Sequence, residues 1–255
     1  MDNNHISKKG SVMTEKLVEE HILTAHQCDR YGFMRPITLM NELQGMAGRH
    51  ADMLGFGRDV CLSKKIDWVV THMFVDIIDM PRADEVLIYS TWPTIPGALR
   101  SERDFEVRDK SGKLKIRAIS QWVLIDLNTR RPVRISESFP DWNGIDEHIW
   151  ERTFDKASDF TPTKTHTMAC RYDDIDVNQH INNAVYTVWA TESVGFDYRD
   201  SHKLRGIDIY FEHEINPNTP NVSVEVAFDD DNTSRHKIMT DGTEHAKIVC
   251  HWIKR

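Results

Sequence analysis

The amino-acid sequence predicts an α+β fold in which one module, a long helix laid against an antiparallel sheet, occurs twice in tandem. The first observation is order: in each half the hydrophobic period runs from strand to helix and back to several strands. The second is punctuation, with Pro81, Pro93, Pro96 and the Asp109-Lys110-Ser111-Gly112 turn falling between periodic segments. The third is recurrence. Asp174 follows Asp29 by 145 residues, whereas Gly242 follows Gly112 and Trp252 follows Trp122 by 130. A spacing that shrinks along the chain describes the same unit with shorter loops in its second copy. Two unrelated α+β domains are the alternative that so few landmarks leave open.

Taken in order, residues 1–13 are polar and read as a disordered leader without the apolar stretch of a secretory signal, so the chain is expected in the cytoplasm. The first module spans 14–135. It opens with an extended segment over 22–29 and a turn at Tyr31-Gly32, then a helix carrying Leu39, Leu43, Ala47, His50 and Leu54 on one stripe, which Gly55 stops. Strand-like segments follow over 68–78, 86–92, 103–108 and 113–126. A polar connector over 136–165 leads to the second module, 166–255. There the helix carries Val185, Val188, Trp189 and Val194, and strands are expected over 207–215, 222–228, 235–240 and 246–253. A sheet wrapped around a central helix is the hotdog arrangement, and its repetition makes a double hotdog.

Composition narrows the function. The 255 residues suffice for one large or two small domains. With 40 acidic against 32 basic residues, a net charge of −8, no global field draws the chain to nucleic acid or an anionic membrane. An acidic partner would need a local basic patch. Apolar runs such as 68–70 and 122–125 are too short for membrane insertion. Cys28, Cys61, Cys170 and Cys250 are scattered without a CxxC pair, which fits reduced thiols better than two disulfides. The 13 histidines form no HExxH, so neither a metal nor another cofactor is expected.

Chemistry concentrates at 173–183, the densest polar cluster in the chain, immediately before the second helix. If 176–180 is extended, Asp176, Asn178 and His180 share a face, bringing a carboxylate, an amide and an imidazole together. His180 then lies beside a helix N-terminus, whose free N–H groups favour a developing oxyanion. The competing reading makes these residues mere turn and N-cap formers. Glu214 sits in a segment whose apolar residues occupy odd positions, so alternation alone turns it to the opposite, solvated face.

The run Asp176-Val177-Asn178-Gln179-His180-Ile181-Asn182-Asn183, followed by Tyr186, Trp189, Glu192 and Ser193, resembles the signature of the acyl-ACP thioesterases of plants and their bacterial relatives. Trp68-Val69-Val70, Thr91-Trp92-Pro93, Arg103-Asp104-Phe105, Ser120-Gln121-Trp122-Val123 and Thr129-Arg130-Arg131-Pro132 match that family's first half, and the likeness runs from about residue 17 to the C-terminus. It implies a tandem double hotdog and hydrolysis of fatty acyl-acyl carrier protein to free fatty acid. It also implies catalytic positions Asp176, Asn178, His180 and Glu214, the last turned inward by a bulge or twist. Where plant members carry a cysteine after the glutamate, this chain has Ile215, which cannot attack a thioester.

On that reading Glu214 activates water, His180 shares or relays the proton, Asp176 orients His180, and backbone N–H groups near 181–183 receive the oxyanion. Direct attack by the carboxylate stays open. At an offset of 145 the trio falls opposite Tyr31, Phe33 and Arg35, so the first module is expected to be catalytically silent. Its helix, through Leu39, Met40, Leu43, Met46, Ala47 and His50, would then wall the acyl tunnel, although core packing explains those residues equally well. Arg130, Arg131 and Arg134, the densest basic cluster, are candidates for docking the acidic carrier protein, or an ordinary solvated loop. Acyl-CoA hydrolysis at the same site, a non-catalytic acyl-thioester-binding module, and a homodimer stay open.

Overall fold

The computed structural model describes residues 15–255; the leader expected over 1–13 lies outside the described residues. The strands are β1 (Leu17–Ile22), β2 (Ile66–Ile77), β3 (Val86–Pro93), β4 (Arg100–Asp109) and β5 (Leu114–Asp126) in the first half. In the second they are β6 (Lys164–Ala169), β7 (His202–Phe211), β8 (Asn221–Asp230), β9 (Thr233–Thr240) and β10 (Thr243–Lys254). All pairings are antiparallel, and one ten-stranded sheet results, in the order β1-β3-β4-β5-β2-β7-β10-β9-β8-β6. Read outward from the β2–β7 join, the two halves have the same order. Val70 pairs with Trp122 as Leu204 pairs with Trp252, so β7 repeats β2 at an offset of 134. Across the join Phe74 faces Asp208, its own counterpart at that offset, which puts a pseudo-twofold axis through this pair.

Two central helices, α1 (Pro36–Met53) and α4 (Asn183–Ser193), pack on one another inside the sheet. Pro36 opens α1, where a missing N–H costs nothing, and Gly55, at φ +80°, turns the chain away after it. Asn182 caps α4 by accepting the Ala184 N–H at 2.9 Å. Short helices, α2 (Arg58–Ser63) and α5 (Phe196–Ser201), follow α1 and α4. Both went unread in the sequence because six residues hold too little periodicity to register.

The first strand differs from expectation. It ends at Ile22, and 25–27 forms a 3-10 turn, matched by another at 172–174. Edge strand β6 carries Lys164, Thr165 and Thr167 on exposed positions, and β1 exposes Val18 and Ile22 while turning Glu19 and His21 inward, so neither sequence shows the alternation of a half-buried strand. The main core joins residues of both halves, among them Leu43, Met46, Phe105, Tyr186, Trp189 and Ile209. A smaller cluster gathers Phe56, Cys61, Ile66, Leu124 and Phe139.

The connector between the halves contains α3 (Ile135–Ser138) and then straps the outer face of the sheet. Phe154 stacks on Phe74 at 5.3 Å, Arg152 clamps the buried Asp208, and Lys237 pairs with Asp159 at 2.5 Å. Gly144 lets this strap lie on β3, since an added Cβ would fall 2.0 Å from the Thr94 carbonyl. No helix among the described residues is long and apolar enough to cross a membrane.

Candidate active site

The polar loop at 176–180 is a tight turn, not an extended segment. The Asp176 N–H donates to the His180 carbonyl at 2.9 Å, and Gln179 takes a left-handed φ of +62° to close it. Asp176 Oδ1 accepts the Asn178 N–H at 2.8 Å, so its carboxylate shapes the turn rather than contacting the His180 ring. The period-two argument therefore fails. Asp174, beneath the turn, is buried, paired with Arg171, and accepts the Asn182 N–H on its carbonyl at 2.8 Å.

The same construction occurs in the first half. Asp29 N–H donates to the Phe33 carbonyl, Asp29 Oδ1 accepts the Tyr31 N–H, and Gly32 at φ +76° occupies the place of Gln179. The bridges Cys28–Met34 and Ile175–Ile181 agree. The local offset is thus 147 rather than 145, and Asp176, Asn178 and His180 stand opposite Asp29, Tyr31 and Phe33, not opposite Tyr31, Phe33 and Arg35.

Glu214 reaches this loop from beyond β7. The N–H groups of Glu212 and His213 both donate to the His245 carbonyl, at 2.9 and 3.2 Å, which is two residues set against one. That bulge breaks the alternation and brings Glu214 to the cleft, with Oε2 3.5 Å from His180 Nε2. Ile215 behind it is fully buried.

Two arginines from the first half complete the cluster. Arg130 Nη2 donates to Glu214 Oε2 at 2.6 Å, and Arg58 Nε donates to Asn178 Oδ1 at 3.1 Å. Arg130 is held for this by a turn in which Asp126 caps the Asn128 and Thr129 N–H groups and Arg130 itself sits at φ +57°. So one member of the basic cluster belongs to the site, while Arg131 stays exposed and Arg134 faces Glu137 at 3.9 Å.

These groups line a cleft of about 1120 Å³ running under α1 and across β7, β2, β5 and β4. Trp68, Val70, Trp122, Ile125 and Leu127 supply apolar wall, and the buried Tyr186 stands beside the polar end, its phenol pushed up by burial and by the Glu214 charge. Asp67 at the mouth is raised too, by burial first, against the Arg58 charge.

Of the six α1 residues expected to wall the tunnel, Ala47 alone lines the cleft; Leu39, Met40, Leu43, Met46 and His50 are buried elsewhere in the packing. The most apolar stripe of the helix faces the core. The cleft is left to Asn41, Gln44, Gly45, Gly48 and Ala51, small or amide residues that keep space open. Gln44 reaches Asn182 Oδ1 at 3.3 Å, and the Asn182 amide reaches Asn41 at 3.4 Å. Asn41, Gln44, Arg58 and Asp67 were missed in the sequence; the polar and glycine positions interrupting an otherwise apolar helix were the available signal for the first two. His50 packs on Arg103, Nδ1 to Nη1 at 3.1 Å, and burial, then Arg103, pull its imidazole down to about 4.

Comparison with known proteins agrees with this layout. Residues 15–141 match the model of the acyl-ACP thioesterase N-terminal domain and 157–254 that of the C-terminal domain, together most of the chain. The palmitoyl-acyl carrier protein thioesterase of Arabidopsis thaliana is 33% identical over 192 residues, 69% of this chain and 47% of that protein. The oleoyl-acyl carrier protein thioesterase of Coriandrum sativum is 27% identical over 203 residues, 69% of this chain and 53% of that protein, so the chain spans about half the length of these curated relatives. An acyl-ACP thioesterase structure from Bacteroides thetaiotaomicron superimposes with a TM-score of 0.83 at 23% identity, over 93% of this chain and 98% of that one, and shares the hotdog fold. Both domain models, in the order in which the two hotdog halves occur, show that this chain belongs to the acyl-ACP thioesterase family.

Proposed function

We propose that the chain hydrolyses fatty acyl-acyl carrier protein to free fatty acid and the carrier thiol. The observation that carries this reading is the His180–Glu214 pair, set beside Asn178 at the polar end of a cleft whose remaining wall is largely apolar. A thioester leaves as a thiol whose pKa is about 8.5, taking cysteine as reference, so a strong general acid is unnecessary. What the site must do is activate water and hold the tetrahedral oxyanion.

Glu214 takes the proton of the attacking water, with His180 Nε2 sharing it and returning it to the leaving sulfur. Arg130 keeps the carboxylate in place, and Asn178, its amide oxygen held by Arg58, orients the thioester through its N–H₂. The Asn182 N–H is spent on Asp174 and the Ala184 N–H on the Asn182 side chain, which leaves Ile181 and Asn183 for the oxyanion. Asp176 acts by shaping the turn. Arg131 and Arg134 remain candidates for docking the acidic carrier, and the cytoplasm is the compartment this reading places it in.

The test is thiol release from acyl carrier protein and CoA thioesters of one chain length. Faster turnover of the carrier-linked substrate supports the proposal; equal rates make the chain a general acyl thioesterase, and binding without release makes it a non-catalytic module.

A further inference from the structure

The pseudo-twofold that builds the cleft builds a second one, which no part of the proposed chemistry uses. Met80 stands three residues beyond the end of β2 as Glu214 stands three beyond the end of β7. Together with the 147 offset at the turn, this sets Asp29, Tyr31, Phe33 and Met80 in the places of Asp176, Asn178, His180 and Glu214. All four line one cavity of about 400 Å³, inside the usual range for small-molecule sites. Its amide, imidazole and glutamate are replaced by aromatic and thioether groups, so it cannot repeat the hydrolysis.

Its chemistry is nonetheless specific. Met34, Leu204 and Trp252 form a buried apolar floor. Five cations, Arg30, Arg35, Arg199, Lys203 and Arg255, line it against three carboxylates, in a chain whose net charge is −8. The carboxylates are engaged: Asp200 pairs with Arg30, Glu192 with Arg199, and Asp29 accepts the Tyr31 and Phe33 N–H groups. Arg35, Lys203 and Arg255 have no carboxylate in ion-pair reach among the described residues. His202, 8% exposed, lines the same cavity; its Nδ1 meets Ser201 and Tyr198, while its buried Nε2 has no hydrogen-bond partner. A buried polar atom left unpaired is costly unless a ligand completes it.

We propose that this relic cleft binds a fatty acid, its chain on the apolar floor and its carboxylate among Lys203, Arg255 and the His202 ring, whose Nδ1–H is spent on the Tyr198 carbonyl and whose Nε2 takes up the acid's proton and donates it back to the carboxylate. The ligand has the chemistry of the product of the proposed reaction, but the binding stands apart from that reaction and is read without turnover.

Dodecanoate is titrated calorimetrically into the full chain, and the histidine ring resonances are followed by NMR. Expected are two molecules bound per chain, movement of the His202 ring signals, and a second site weakened about tenfold or more by Lys203→Glu with Arg255→Glu, and retained in Lys203→Arg. Dodecanol, without the charge, should bind there more weakly. One molecule per chain with His202 unmoved, or dodecanol binding that site as tightly as dodecanoate, overturns the proposal. Turnover of acyl carrier protein thioesters with His202 unmoved would sink this site alone; His202 movement without turnover would sink the hydrolase reading alone.

Discussion

Glu214 meets His180 because two consecutive N–H groups share the His245 carbonyl, and Arg130 then fastens the carboxylate from the other half of the chain. Each of these side chains is partly exposed, 36% for Glu214 and 39% for His180, so their removal should spare folding. His180→Ala and Glu214→Ala are expected to lower kcat by roughly 10² to 10⁴ with unfolding temperatures close to the parent's. Arg130→Ala should lower kcat more than it raises KM, and Arg130→Lys should recover part of the loss, because a single charge restores the contact but not the guanidinium's direction. Steady-state rates on acyl-ACP beside melting curves check all four; a parent-like kcat in any alanine variant removes that residue from the mechanism. The thiols play no part in this scheme: Cys250 is pushed far up and Cys61 up to about 12 by burial.

Helix α1 divides its labour between two faces. Met46 is fully buried in the core, so Met46→Trp overpacks it and should depress the unfolding temperature and slow short and long substrates alike. Gly48 lines the cleft, and a Cβ built there meets nothing within 4 Å. Gly48→Leu therefore projects into the cleft and, if the proposed substrate's chain lies there, should shift preference toward shorter chains, with rates on a short acyl-ACP nearly unchanged. Equal loss at every chain length would move the gauge elsewhere.

Strand β4 gives a second test at this scale. Asp104 is buried, its Oδ2 is without a hydrogen bond, and burial pushes its carboxyl up to about 7. The folded chain then holds a proton that the unfolded chain releases near 4, so this group's contribution to stability falls as pH rises from about 4 to about 7. Asp104→Asn should abolish that slope, the variant gaining on the parent in unfolding temperature as pH rises through this window. His50 works in the opposite direction, losing stability as pH falls from about 6.5 to about 4, and keeps doing so in the variant.

Across the whole molecule, the join at Phe74 and Asp208 makes one sheet of two modules and places each module's turn beside the other's strands. The candidate cleft is consequently shared: its turn and glutamate come from the second half, its arginines and most of its wall from the first. Tyr31→Ala with Phe33→Ala, in the equivalent turn, should leave kcat on acyl-ACP within about twofold of the parent. A folded variant with kcat down a hundredfold would contradict a silent first turn.

The sequence by itself determined the repeat, both central helices and most of the strands, and it singled out 176–180, read there as extended, and by resemblance Glu214, as the candidate chemical residues. These are local matters, set by period, by glycine and asparagine at turns, and by residue type. Tertiary structure decided what faces what. Alternation carried no sign of the His245 bulge that admits Glu214, because a bulge is a property of two strands and not of one. An apolar stripe could not tell core from cleft along α1, since both are dry, so only Ala47 of the six expected residues proved to line it. Arg130 read as surface charge, because its partner lies 84 residues away and meets it only when the two halves close on a common axis.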